Sequence, residues 1–168
     1  MSVRRRRSAG RPAATAAVAA VALAGCGGSH LAFRTDHRVH ITAPPSRALV
    51  QAPVTLRWNV SPRPAAATTF AVFVDRAPVK PGQTLRAVAA GDSSCQHAAG
   101  CPDAQYLADR QVYTTADTSL TLQGVASMNS YQTTQLHEAT IVLLDASGRR
   151  IGEAAWYVDF RMRHRRFR

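Results

Sequence analysis

From Arg38 onward the chain breaks into short strand-like runs separated by proline, glycine and polar clusters. No window there carries a sustained i, i+3, i+4 apolar stripe. A chain patterned this way buries its apolar side chains by stacking sheets rather than helices. Val39 and Ile41 alternate ahead of Pro44-Pro45. Val54, Leu56, Trp58 and Val60 alternate with Thr55, Arg57 and Asn59, the period of a half-buried strand. Phe70-Ala71-Val72-Phe73-Val74 is apolar throughout, as a more central strand would be. A turn follows over Asp75 to Gly82, with Pro78 and Pro81 inside it.

Thr84 to Ala90, Tyr106 to Thr114 and Ser119 to Leu122 read as further strands, and Gly124 to Thr134 as a polar loop. The closing pair is the sharpest pattern in the chain. Glu138 to Leu144 is strongly β-prone, Asp145-Ala146-Ser147-Gly148 is a turn, and Ile151 to Met162 returns. On the return strand Trp156, Val158, Phe160 and Met162 share one face, and Tyr157, Asp159 and Arg161 the other. Seven to eight such strands predict an all-β fold, a single antiparallel β-sandwich spanning residues 38–162.

The run Leu136-His137-Glu138-Ala139-Thr140-Ile141-Val142-Leu143-Leu144-Asp145-Ala146-Ser147-Gly148, continued by Tyr157-Val158-Asp159-Phe160, resembles the closing hairpin of bacterial immunoglobulin-like domains. Pro53-Val54-Thr55-Leu56-Arg57-Trp58 is similar to their second strand. The resemblance covers about 60 residues. It implies an immunoglobulin-like sandwich with no activity attached, since that fold hosts many functions. It also implies a core anchored by Trp58 without the inter-sheet disulfide of antibody domains.

The N-terminal segment has its own logic. Arg4, Arg5, Arg6, Arg7 and Arg11 form a positive n-region, and Ala13 to Leu23 an apolar stretch too short to span a bilayer, which needs ~20 residues. Leu23-Ala24-Gly25-Cys26 then resembles the lipobox of bacterial lipoproteins. The resemblance implies cleavage before Cys26, a diacylglycerol on its sulfur, and residence on the exported face of a cell membrane, periplasmic or extracellular. Paired arginines suggest twin-arginine export, but Ser8-Ala9-Gly10 lacks the apolar residues that usually follow, which favours the general secretory route. Gly27-Gly28-Ser29 begins a flexible tether, so residues 26–37 link the lipid to the domain.

Removing residues 1–25 from the 168 leaves 143, enough for one domain with a proper core. Five of the 21 basic residues go with the signal, so 16 face 10 acids, a net of +6 rather than +11. The excess concentrates in Arg161, Arg163, Arg165, Arg166 and Arg168, and residues 163–168 form a basic tail. Two readings of that run stand side by side. One is a solvated strand end whose charges discourage edge-to-edge pairing. The other is a patch touching anionic lipid headgroups or acidic wall polymers, with Phe167 dipping into the interface. Nucleic acid is a poor partner for an exported protein.

With Cys26 lipidated, Cys95 and Cys101 remain, and outside the cytoplasm such a pair predicts a disulfide closing an insert loop, Ser93–Asp103. A redox or metal pair would favour the C-x-x-C spacing, which is absent. Gln96 and His97 inside that loop, with Arg161, Arg163, Arg165 and Arg166, are the candidate partner-binding residues. The polar loop Ser127–Gln135 is second in line.

Catalytic signatures are missing: no G-x-S-x-G, no H-E-x-x-H, no phosphate-binding glycine loop and no paired carboxylates. The sequence therefore predicts no enzyme and no cofactor. The alternative is an exported copper or zinc carrier drawing on His30, His37, His40, His97, His137, His164, Met128 and Met162. Against it, His37 and His40 point to opposite faces of an extended segment, Met162 falls on the core face, and His137 reads as a partly exposed surface residue. The expectation is a lipid-anchored, non-catalytic binding or accessory module, serving an envelope protein partner or an anionic wall polymer.

Overall fold

The computed structural model describes residues 38–67, 69–126 and 133–163. The signal, Cys26 and the tether, residues 127–132 of the expected 127–135 loop and Arg165, Arg166 and Arg168 lie outside them, while Thr134 and Gln135, expected in that loop, belong to a strand. Two sheets share one core. The smaller has the order β1-β3-β6, from β1 (Val39–Ala43), β3 (Val54–Val60) and β6 (Ser119–Leu122). The larger has the order β2-β8-β7-β4-β5, from β2 (Leu49–Val50), β4 (Thr69–Val74), β5 (Val112–Thr115), β7 (Thr134–Leu144) and β8 (Trp156–Arg163).

The alternating strands behave as their period demands. On β3, Val54, Leu56 and Trp58 are buried and Arg57 and Asn59 exposed. On β8, Val158, Phe160 and Met162 are buried, with Tyr157, Arg161 and Arg163 exposed. These inner faces meet: Val39, Leu56, Trp58 and Leu122 from one sheet pack with Phe70, Ile141, Leu143 and Phe160 from the other. Trp58 and Phe70 cross edge to face with centroids 5.3 Å apart, the arrangement their ring quadrupoles favour.

Four expectations change. Pairing is not wholly antiparallel, because after Pro44-Pro45 the chain crosses to the larger sheet and β2 runs parallel to β8. Leu85–Ala89, expected as a strand, is a 3-10 helix. Its side chains fall on one side at helical spacing, so Leu85, Val88 and Ala89 can be covered together. The expected strand from Tyr106 instead starts as helix and becomes β5 only at Val112. Ile151 to Ala155 likewise precede β8 as irregular chain.

Helices α1 (Ser93–His97) and α2 (Ala104–Ala108) follow the 3-10 helix, so the insert is larger and more helical than the expected loop and takes in residues 79–108. Each opens on an aspartate. Asp92 accepts hydrogen bonds from the amides of Ser94 and Cys95, and Asp103 from that of Tyr106. Such caps satisfy amides that a helix leaves without partners. The insert packs on the outer face of the larger sheet, where Val79, Leu85 and Leu107 cover Ala71, Phe73, Val112, Val142 and Leu144. The continuous apolar run on β4 thereby finds its reason: one set of side chains faces the sandwich core and the alternate set faces the insert. No helix among the described residues is long and apolar enough to cross a membrane.

Candidate functional site

The polar groups of the insert converge on Asp92. Its carboxylate accepts from the Ser94 hydroxyl at 2.6 Å, the Tyr106 hydroxyl at 3.0 Å and the Arg110 guanidinium at 2.9 Å, besides the two capping amides. The Ser94 hydroxyl above all, then Tyr106 and the Cys95 amide, hold its pKa down from 3.8 to about 2. Arg110 also lies over the Tyr106 ring, 3.5 Å from its centroid. Asp92 therefore ties α1 to α2 across the loop that the Cys95–Cys101 disulfide closes, with Cα atoms 5.3 Å apart. Gln96 and His97 are exposed on α1, and the Gln96 amide donates to the Ala90 carbonyl at 2.7 Å. A shallow cavity of about 230 Å³ opens beside the disulfide, between Leu85, Arg86, Cys101, Pro102 and the Ser147-Gly148 turn.

His137 is not the partly exposed residue its position at the start of a strand suggested. It is 1% exposed, and its Nδ1 lies 2.6 Å from Oδ2 of Asp75. Asp75 has φ +53, a left-handed turn conformation that aspartate tolerates better than most residues. From there its other oxygen accepts from the Glu138 amide at 2.9 Å. The His137 ring stacks at a tilt on Phe160, 5.8 Å between centroids. The pair fastens the end of β4 to β7. Nothing in the local sequence marks it, since its halves lie 62 residues apart. Asp92 and Asp103 did carry a readable signal, an aspartate three residues ahead of a buried or half-buried side chain, which is how an N-cap looks.

Arg150 is a second buried ionisable group without a sequence signal. Its guanidinium donates to the carbonyls of Val79 at 2.6 Å and Glu153 at 2.7 Å, and burial lowers its pKa. It ties the Asp75–Gly82 turn to the loop leading into β8.

Among the described residues the metal candidates lie apart. Met162 is 2% exposed in the core, His137 is engaged by Asp75, and His40 is exposed on β1, opposite Asn59. His97 is on the insert. His30, His37, His164 and Met128 lie outside the described residues. Among the described residues no three His, Cys, Asp or Glu side chains gather as ligands.

Arg161 and Arg163 are exposed on β8, on the outer face of the larger sheet. The insert covers that face at β4, β5 and the far end of β7, leaving β2, β8 and the first part of β7 open. Leu49 (54% exposed), Leu136 (60%) and Tyr157 (66%), the exposed large apolar residues among those described, all belong to those strands. Leu49, Arg161 and Leu136 stand in one cross-strand row, with Arg163 opposite Thr134 in the next. The Gln96–His97 and Arg161–Arg163 candidates therefore sit on different parts of the molecule. No protein-family model, no curated protein and no solved structure matches this chain.

Proposed function

We propose that the chain is a lipid-anchored envelope protein that presents one immunoglobulin-like sandwich as a non-catalytic binding or accessory module. The anchor rests on Leu23-Ala24-Gly25-Cys26 behind its arginines and apolar stretch. The immunoglobulin-like reading is supported by strand grouping. The first, third and sixth strands form one sheet and the fourth, seventh and eighth lie in the other, as A-B-E and C-F-G do in that fold. Trp58 departs from the antibody pattern in lying on the third strand of the chain, which takes the B position, rather than on C.

The observation that carries the binding reading is how the domain uses its reactive side chains. His137, Asp75, Asp92, Tyr106 and Arg150 are bound into contacts that join one segment to another. Among the described residues, the large apolar side chains left open lie with arginines on one face, Leu49, Leu136 and Tyr157 beside Arg161 and Arg163, which is suited to docking.

Cys26→Ser, followed by membrane fractionation with a high-salt wash, tests the anchor. Release of the variant while the parent stays in the membrane is expected, and retention of both rejects it. Cross-linking of the native lipoprotein in intact cells tests the role. One recurrent captured species that survives washing is expected, and turnover of a small molecule by the purified protein would overturn it.

A further inference from the structure

We propose that the open end of the outer face, built from Leu49, Arg161, Leu136 and Arg163, rests on the headgroups of an anionic phospholipid bilayer. This rests on the reading that lipid at Cys26 holds the domain beside such a surface. Three observations carry it. The row Leu49–Arg161–Leu136 alternates apolar and cationic groups across three neighbouring strands. At a bilayer interface leucines enter the acyl boundary while the arginine between them reaches a phosphate. Next, Arg163 extends the charge one row on, and the basic run His164-Arg165-Arg166-Phe167-Arg168 follows it directly in sequence.

The third observation is size. Two rows across three strands, with strands ~4.8 Å apart and rows ~7 Å apart, make a patch far below the ~800 Å² per partner of a stable protein interface. A bilayer contact needs no such area when a lipid tether supplies the local concentration. The neighbouring row, Glu138 opposite Asp159, is acidic and sets the boundary, so the domain stands on the basic end of the face and Tyr157 lies beyond the contact. Residues 26–37 reach about 40 Å when extended, longer than the ~26 Å of β8, which leaves the domain free to adopt this pose.

The test uses the mature chain, residues 26–168, carrying Cys26→Ser so that the remaining cysteines are held in the disulfide, with vesicle lipid titrated to about 10 mM in place of the local concentration that the tether supplies. Thr134→Cys then places one environment-sensitive fluorophore beside Arg163. Thr121→Cys on β6 serves as the reference, being exposed on the other sheet. Vesicles of phosphatidylcholine with phosphatidylglycerol are compared with phosphatidylcholine alone.

The expected result is a blue shift at 134, not at 121, only with the anionic vesicles. Arg161→Ser with Arg163→Ser should then weaken partition roughly 25-fold, from about fivefold per arginine near a charged surface. Leu49→Ser with Leu136→Ser should weaken it as well, with the far-ultraviolet spectrum unchanged because both side chains are exposed. Equal shifts at both positions, or none, would overturn the proposal. So would an equal shift with soluble polyphosphate, which would make the face a polyanion site. A concentration-dependent shift without vesicles would make it a contact between copies and overturn it too. Failure of the anchor is read separately, by the fractionation of Cys26→Ser.

Discussion

A histidine whose side chain has no exposed surface needs a partner inside the fold, and Asp75 supplies it at 2.6 Å. Asp75→Ala leaves that ring nitrogen without its carboxylate and is expected to destabilise the domain by about 1–3 kcal/mol in urea unfolding. Adding His137→Phe, which sets an apolar ring beside Phe160, should recover part of the loss, and a double-mutant cycle measures the coupling. Asp92 gives a pH effect of defined sign. Its folded pKa of about 2 lies below the ordinary 3.8, so its contribution is complete above 3.8 and is lost as pH falls through 2. Amide exchange at Ser94 and Cys95 should therefore lose protection over that window, ahead of the amides of β3. Asp92→Asn should keep much of the cap while weakening the tie to Arg110.

At the scale of elements, the disulfide and the insert form one unit. Closing so small a loop contributes about 2 kcal/mol on the chain-entropy view. Cys95→Ser with Cys101→Ser is expected to raise hydrogen exchange in α1, α2 and β5 while β1 and β3 keep their protection. Uniform loss across both sheets would show that the insert is integral to the sandwich rather than a cover on it. This is also where the sequence stopped being readable. Strands such as β3 and β8 alternate because one face meets core and the other water, and a period of two survives in the letters. The segment Leu85 to Ala108 packs its apolar groups on a sheet face that includes distant residues such as Phe73 and Val142, so beyond the capping aspartates nothing local announces it. Three helical pieces of five residues each are too short to write a 3.6-residue period. Among site residues, Cys95–Cys101 and the exposure of Arg161 and Arg163 were legible from spacing and alternation. The Asp75–His137 contact was not, because it depends on β4 and β7 lying side by side.

Across the whole molecule the layers are a three-stranded sheet, a five-stranded sheet and a helical cover over half of the second. The cover explains why one part of the larger sheet is apolar on both faces while β8 alternates. Among the described residues it leaves the large exposed apolar side chains on a strip at β2, β8 and the start of β7. The short parallel contact at that edge has a mechanical consequence. The Arg47 amide donates to the Asp159 carbonyl and the Arg161 amide to the Ala48 carbonyl, at 2.6 and 2.7 Å. Because β2 and β8 run the same way, tension between the N-terminal and C-terminal sides of the chain pulls them in opposite senses along their length. Those bonds are then loaded together in shear, whereas a hairpin pulled from its open end gives way one bond at a time. A domain tethered through its N-terminal side and gripped near Arg163 would resist stretching at a clasp only two residues long.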